Sequence, residues 1–334
     1  MPTIYEVSKL AGVSLATVSR VINNSGRVSE GTRRKVVTAM DELGYRPNSM
    51  AQALASNRSN CVGVLVSELH GPFYGAMLST IERTLRSAGK FAIFTAGHSD
   101  AAREKEGMQF LMSRNCDAMI LHVEALSDEY LRECRENMIP FVIVNRDVAG
   151  MSDRCISLNN ERGGYLATRL LLQLGHRRIA YVSGPLAWSD ARERLQGHNR
   201  ALAEQGIEPD PTLLFEGDYQ ESGGCRALNT LLDKEVRFTA IVCANDEMAA
   251  GAMDVARDRG LDVPGDLSIV GFDNAPLSRY LHPKLSTVDY PIVDMSRMAA
   301  HWVLNHVYGD ASLEIRHHFE PGLLPRDSAG RAKA

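Results

Sequence analysis

Cysteines at the two-residue spacing of metal or redox sites are missing. Cys61, Cys116, Cys134, Cys155, Cys225 and Cys243 are scattered, most inside apolar runs such as Ala240-Ile-Val-Cys243, so they are expected as small buried hydrophobes. No apolar run approaches the roughly 20 residues of a bilayer crossing. The opening Met-Pro-Thr-Ile-Tyr-Glu has neither the basic nor the apolar stretch of an export signal. No membrane partner and a cytoplasmic location are therefore expected. The Walker A, GxGxxG, GxSxG and HExxH strings are absent as well, and His98, His122 and His176 have no evident nucleophile or metal cluster to serve. No catalytic residue, metal or cofactor is expected, and an α/β enzyme becomes a remote rival that turnover of a sugar would revive.

What is present is a chain of 334 residues, enough for a module of roughly 60 residues and one or two bodies of about 130 each. The composition, 44% hydrophobic and 23% charged, is that of a globular protein. Charge is uneven along it. Residues 1–60 hold eight Lys and Arg against four acids, a net of +4, so the remainder carries −8 of the whole-chain −4. A basic arm on an acidic body suits a polyanionic partner.

The arm reads as three helices. Thr3-Ile-Tyr-Glu6 has the form of a capping box, so a helix starts at Ile4 with Ile4, Val7, Leu10 and Ala11 as its apolar stripe. Gly12-Val-Ser14 is a tight turn ending in a new cap, from which Leu15 to Asn23 forms a second helix with Val18, Val21 and Ile22 inward. A third, capped near Ser29, is expected from about Thr32 to Leu43 with Val36, Val37, Met40 and Leu43 inward, closed by Gly44. In a helix-turn-helix the second helix enters the major groove by its N-terminus, which puts Leu15, Ala16, Ser19 and Arg20 against the bases. Arg20 can fork to a guanine, whereas Leu15 and Ala16 match a thymine methyl. Ser14, Thr17, Asn23 and the cluster Arg33-Arg34-Lys35 are placed for phosphates, which position without reading sequence. The pattern alone leaves open a helical bundle with a solvated basic face.

The run from Thr3 through Val18-Ser-Arg-Val-Ile-Asn-Asn24 resembles the DNA-binding signature of the lactose/galactose repressor (LacI/GalR) family. That resemblance implies a sequence-specific, double-stranded-DNA-binding transcription regulator. It extends into Tyr45 to Asn60, where Pro47 blocks helix and Asn48 or Ser49 could cap a short one through Ser56. A helix of about nine residues is marginal alone, so it is expected to form on DNA. By the resemblance Leu54 is the wedge that enters the minor groove and kinks the duplex; without it, a solvated linker is the plainer reading.

From Cys61 strands and helices alternate: strands near 61–67, 91–96, 117–123, 140–145, 179–183, 239–244 and 267–272, with helices near 74–88, 101–113, 127–137, 160–174, 190–205, 221–233 and 246–259. Runs such as Ala118-Met-Ile-Leu121 and Phe141-Val-Ile-Val144 read as parallel strands buried on both faces, hence a doubly wound α/β body. Ligands of such sheets bind beyond the carboxyl ends of the strands. The residues there are polar: Ser67 to His70, His122, Asn145-Arg146, Asn245-Asp246 and Asp273-Asn274. Any one could merely cap the next helix. As a set they fit a polyol, with Phe73, Tyr74, Trp188 and Tyr219 as candidate ring faces or core.

The family resemblance covers the body and implies two subdomains of the periplasmic-binding-protein type. It divides the chain into a helix-turn-helix domain 1–46, a hinge 47–60, an N-terminal subdomain 61–160 plus 291–320, a C-terminal subdomain 161–290 plus 321–328, and a tail 329–334. A helix near 293–308 returns to the first lobe. Ser189-Asp-Ala-Arg-Glu-Arg-Leu-Gln-Gly197 matches the stretch whose arginine, here Arg194, grips the ligand. Ala244 to Met253 and Ile269 to Asn274 match those that bring Asn245 and Asp273 to it. No leucine-heptad extension follows Leu324-Pro-Arg-Asp-Ser328, so a homodimer is favoured. Val21-Ile-Asn-Asn24, Asn245 to Gly251 and Ser278-Arg-Tyr280 resemble the galactose-repressor branch, with departures at Leu15, His98 and Leu186-Ala-Trp188. The implied function is repression of a sugar-utilisation operon from a palindromic operator, released by a monosaccharide such as D-galactose. A purine or other co-repressor, an activator, and an extracytoplasmic sugar-binding protein are the competing readings.

Overall fold

The computed structural model describes residues 2–23, 25–46 and 58–333. Leu54, the expected hinge helix around it and Asn24 lie outside the described residues. The chain forms two compact units, a small one of Met1–Cys61 with Asn115–Asp117, which holds the N-terminal helices, and a larger one of Val62–Arg114 with Ala118–Ala334.

In the small unit α1 spans Ile4–Ala11, α2 Leu15–Ile22 and α3 Glu30–Leu43. The Thr3 backbone N–H donates to Glu6 Oε2 at 2.6 Å while Glu6 N–H reaches Thr3 Oγ1 at 3.4 Å, the reciprocal cap that starts α1. Gly12 ends it at φ 66°, a left-handed turn open to glycine without strain. Ser14 then caps α2 by accepting from Thr17 N–H at 3.2 Å. Ser29 does the same for α3 through Thr32 N–H, so that helix begins at Glu30, two residues before its expected start. Val7, Val18, Val21, Val36 and Ala39 make the buried core. Two expected core positions are corrected: Leu10 is 50% and Val37 45% exposed. Ile4, Val7 and Ala11 already fill the narrow face of α1, and Val37 lies 100° around α3 from Val36.

The larger unit has two six-stranded sheets. Its elements in chain order are β1 Cys61–Val66, α4 Pro72–Ser87, β2 Phe91–Ala96, α5 Ala101–Ser113, β3 Ala118–Leu121, α6 Asp128–Asn137, β4 Phe141–Val144, β5 Cys155–Leu158 and α7 Asn160–Gln173. There follow β6 Ile179–Ser183, α8 Ser189–Ala203, β7 Leu214–Glu216, α9 Glu221–Asp233, β8 Ala240–Cys243, α10 Asp246–Asp258, β9 Ser268–Asp273, β10 Ser286–Asp289, α11 Ile292–Tyr308, β11 His318–Phe319 and β12 Gly322–Leu324. The sheets run β2-β1-β3-β4-β5-β11 and β7-β6-β8-β9-β10-β12. The recorded registers are parallel, apart from β10 against β12. β3 and β4 are buried along their whole length, as their unbroken apolar runs require.

Both sheets share one order, 2-1-3-4-5 in local numbering, whose switch point falls between the first and third strands. The chain passes between lobes three times: from β5 to α7, from β10 to α11, and from β11 to β12. Within the second lobe α7 and α8 approach so closely that a Cβ on Gly164 would sit 1.9 Å from the Arg194 carbonyl oxygen, and one on Gly197 1.9 Å from that of Glu161. Only glycine permits that contact, which sets where α8 delivers its side chains.

Candidate functional site

On the small unit, Leu15, Ala16 and Arg20 are exposed along α2 and Ser19 is half-buried. The Ser14 and Thr17 hydroxyls share a hydrogen bond of 2.9 Å at the N-terminus of α2. Asn23 is exposed, its Nδ2 donating to Ser19 Oγ at 3.3 Å, and Arg33 is half-buried on α3. Along its eight residues α2 thus offers apolar methyls and hydroxyls in its first turn and one forked cation, Arg20, in its last, a mixture suited to base edges and phosphates. Tyr5, which the sequence reading passed over, stands 68% exposed on α1.

In the larger unit the carboxyl ends of both sheets line a cavity of about 340 Å³. Its walls come from the switch points: Ser67 and Glu68 follow β1, His122 and Glu124 follow β3, and Asn245 follows β8. Of the nine expected ligand residues, Phe73, Tyr74, His122, Asn145, Arg194, Tyr219, Asn245 and Asp273 line this cavity. Arg146 does not. Asn145 takes a left-handed turn at φ 66° that points Asn145 at the cavity, and Arg146 leads instead to α6, where its Nη2 meets Asp128 Oδ1 at 2.5 Å.

Arg194, 3% exposed, is the hub. Its Nε donates to Asn160 Oδ1 at 2.9 Å and its Nη1 to the Ala244 carbonyl at 2.7 Å. Asp190 Oδ2 lies 3.5 Å from Nη2, one helical turn away on α8, and Asp273 Oδ1 4.0 Å from Nη1. The guanidinium also sits 3.9 Å from the centre of the Phe272 ring. Burial opposes its charge, but Tyr219, Asp190 and Asp273 outweigh it and hold the pKa above the usual arginine range. Tyr219 donates its hydroxyl to Asp190 Oδ2 at 2.9 Å, while Asn245 Nδ2 donates to the Tyr219 carbonyl at 2.8 Å. Trp188 stacks on Tyr219 with centroids 5.7 Å apart, giving the cavity an aromatic wall.

Opposite stand Phe73, Tyr74 and His122, whose rings meet edge to face at 5.2 to 5.8 Å. His122 is 3% exposed and neither of its ring nitrogens has a partner. Burial pushes it down to about 4, so the ring is neutral. Burial raises Glu124 and Asp273 well above the usual carboxylate range, with Asp190 adding repulsion at both. Asp246, expected near the ligand, is instead a buried support: it accepts from Thr287 Oγ1 at 2.6 Å and Ala275 N–H at 2.8 Å, and burial raises it to about 7. Glu68 falls within the expected run Ser67 to His70, whereas Glu124, Asp190, Asp218 and Glu247, also on the wall, were missed from sequence. Asp190 alone had a signal, its four-residue spacing from Arg194. Apolar faces with convergent donors and acceptors are what a ring bearing hydroxyls requires.

Residues 3–48 match the model of bacterial regulatory proteins of the lacI family, and residues 168–329 that of a periplasmic binding protein-like domain. The HTH-type transcriptional regulator GalR of Escherichia coli K12 is 43% identical over 328 residues, 98% of this chain and 96% of that protein. The HTH-type transcriptional repressor PurR of Aliivibrio salmonicida is 33% identical over 308 residues, covering 92% of each. Among solved structures, the Lac repressor dimer bound to operator and an anti-inducer superposes with a TM-score of 0.87 at 29% identity, over 98% of this chain and 99% of that one.

Proposed function

Because the chain belongs to the lacI family of bacterial regulatory proteins, and is a DNA-binding transcriptional regulator and no enzyme, we propose that it represses a sugar-utilisation operon and leaves its operator when a monosaccharide fills the cleft. The observation that carries this reading is the Arg194–Asp190–Tyr219 network set beneath the Trp188 ring in a cavity between two lobes. D-galactose is the first candidate, supported by the identity to GalR. The eight cavity residues named above would bind it, with Arg146 supporting from behind.

On the DNA side Leu15, Ala16, Ser19 and Arg20 would read bases, while Ser14, Thr17, Asn23 and Arg33 would hold phosphates. Leu54, outside the described residues, would be the minor-groove wedge of a hinge spanning 47–60. The active species is a homodimer on a palindromic operator in the cytoplasm, nucleoid-associated when bound. Family membership supports this reading, since two-fold protein symmetry matches two half-sites. The domain limits proposed are 1–46 for DNA, 61–160 with 291–320 for one lobe, and 161–290 with 321–328 for the other.

A gel shift on fragments upstream of the neighbouring operon, repeated over a panel of sugars and purines, tests this. Release by one sugar is expected. A purine co-repressor is the second reading, favoured by the identity to PurR and by the flat Trp188–Tyr219 stack; binding strengthened by a purine would select it.

A further inference from the structure

The cavity's charge is lopsided. Six carboxyl groups line it, Glu68, Glu124, Asp190, Asp218, Glu247 and Asp273, against one guanidinium, Arg194. Arg194 is already committed to Asn160, the Ala244 carbonyl and its two flanking carboxylates. Asp218 pairs with Arg226 at 2.6 Å, and Glu68 faces His98 at 3.0 Å and His70 at 3.6 Å. Glu124 and Glu247 remain, one from each lobe, with no Lys or Arg ion pair among the described residues.

Glu124 lies beside a second open group. Its Oε1 is 4.0 Å from His122 Nδ1, both side chains are 4% exposed, and both His122 nitrogens are unsatisfied. Burial keeps the His122 ring neutral, with an acceptor nitrogen and no charge to lend. The other groups acting on Glu124 are Asp190, Arg146, Glu104 and Arg194. Arg146 is tied to Asp128, and Glu104 accepts the backbone N–H groups of Glu124, Ala125 and Leu126 at 2.9 to 3.2 Å, fixing the loop that carries Glu124. A phosphate or carboxylate entering here would find no unengaged cation and several carboxyls. An ammonium would find an acceptor at His122 and, at Glu124, a carboxyl group whose ionised form it stabilises.

We infer that the effector is a hydroxyl-rich compound bearing an amine, in class an amino sugar, with its ammonium donating to His122 and Glu124, and that phosphorylated and acidic sugars are refused. The inference rests on the sugar reading of the cleft and narrows it. Burial favours the protonated form of Glu124 and an arriving ammonium favours its carboxylate, so any proton Glu124 holds goes to solvent when the ammonium binds. A neutral sugar leaves that proton in place.

Calorimetric titration of the full-length protein at pH 7 with D-galactose, D-galactosamine, D-galactose 6-phosphate and D-galacturonate, and with their gluco counterparts, tests the assignment in two buffers of unlike ionisation enthalpy. The amine is expected to bind at least about tenfold tighter than its neutral parent, a gap of about 1.4 kcal/mol, with proton release. The two anions should not bind. Glu124→Gln should bring the amine and its parent to equal affinity and end the proton release. Equal affinities in the unsubstituted protein, or an amine advantage that survives Glu124→Gln, would overturn the inference while leaving the sugar reading intact. Preference for a phosphate or uronate would overturn it too, and failure of every sugar to bind would remove both.

Discussion

Arg20 and Arg33 carry the same charge in different settings, one exposed on α2 and the other half-buried on α3. If Arg20 forks to a guanine, Arg20→Ala costs about 1–3 kcal/mol at its own base pair and relaxes specificity there. Arg33→Ala should weaken all sequences alike and reduce the salt slope by about one. Binding to a set of single-base operator variants at several salt concentrations separates them, and uniform loss for both would contradict the assignment. A different single-residue effect resides in His198, 4% exposed, whose Nδ1 meets Thr168 Oγ1 at 2.8 Å. Burial lowers it from 6.5 to about 3. Between those values the unfolded chain binds a proton that the folded chain does not, so His198 takes stability away as pH falls through this window. The buried carboxyls Glu124 and Asp273 act in the opposite sense but are common to a wild-type and His198→Gln pair. Chemical denaturation from pH 7 to 4 should show wild type losing more stability than the variant; identical slopes would place the proton elsewhere.

At the scale of elements, the cleft depends on how tightly α7 and α8 approach. Gly164→Ala forces a methyl onto the Arg194 backbone, and overpacking of that kind costs about 1–3 kcal/mol or more. Because the displaced residue is Arg194, effector affinity should fall as well, whereas Gly206→Ala, strained only by its left-handed φ of 66° and touching nothing, should lower stability alone. Urea denaturation beside effector titration checks this. The same elements mark how far sequence reasoning reached. β3, β4, β6 and β8 were legible because strands buried on both faces read as unbroken apolar runs. β5, β10, β11 and β12 were not: they are two to four residues long, and β10 buries Ser286, whose hydroxyl accepts from Arg326 N–H, and Thr287, whose hydroxyl donates to Asp246, where a pattern reader expects apolar side chains. For the cleft, the rule that ligands meet strand ends found His122, Asn145, Asn245 and Asp273, because it needs only strand boundaries. It misassigned Arg146, whose direction depends on the left-handed turn at Asn145, a dihedral that composition does not encode. It missed Glu124 and Glu247, since an acidic residue after a strand is indistinguishable in sequence from a solvated loop or helix-start carboxylate.

For the molecule as a whole, the proposed switch requires a filled cleft to alter operator binding. Three chain crossings join the two lobes, few enough for them to close as rigid bodies about those segments. A ligand shifts such an equilibrium only by its differential affinity for the two states, so tight binding alone explains nothing. If the sugar prefers a lobe arrangement that DNA disfavours, linkage demands that operator weaken sugar binding by the factor by which sugar weakens operator binding. Coupling of about 1–3 kcal/mol is typical, corresponding to about 5–150-fold in each constant. The effector should therefore be titrated calorimetrically with and without saturating operator, and the operator affinity measured with and without saturating effector. Two equal reductions are expected for an inducer. Effector affinity unchanged by operator would sink the switch, and affinity raised by operator would turn the same parts into a co-repressor device, since the sign of the coupling lies in which lobe arrangement the ligand fits.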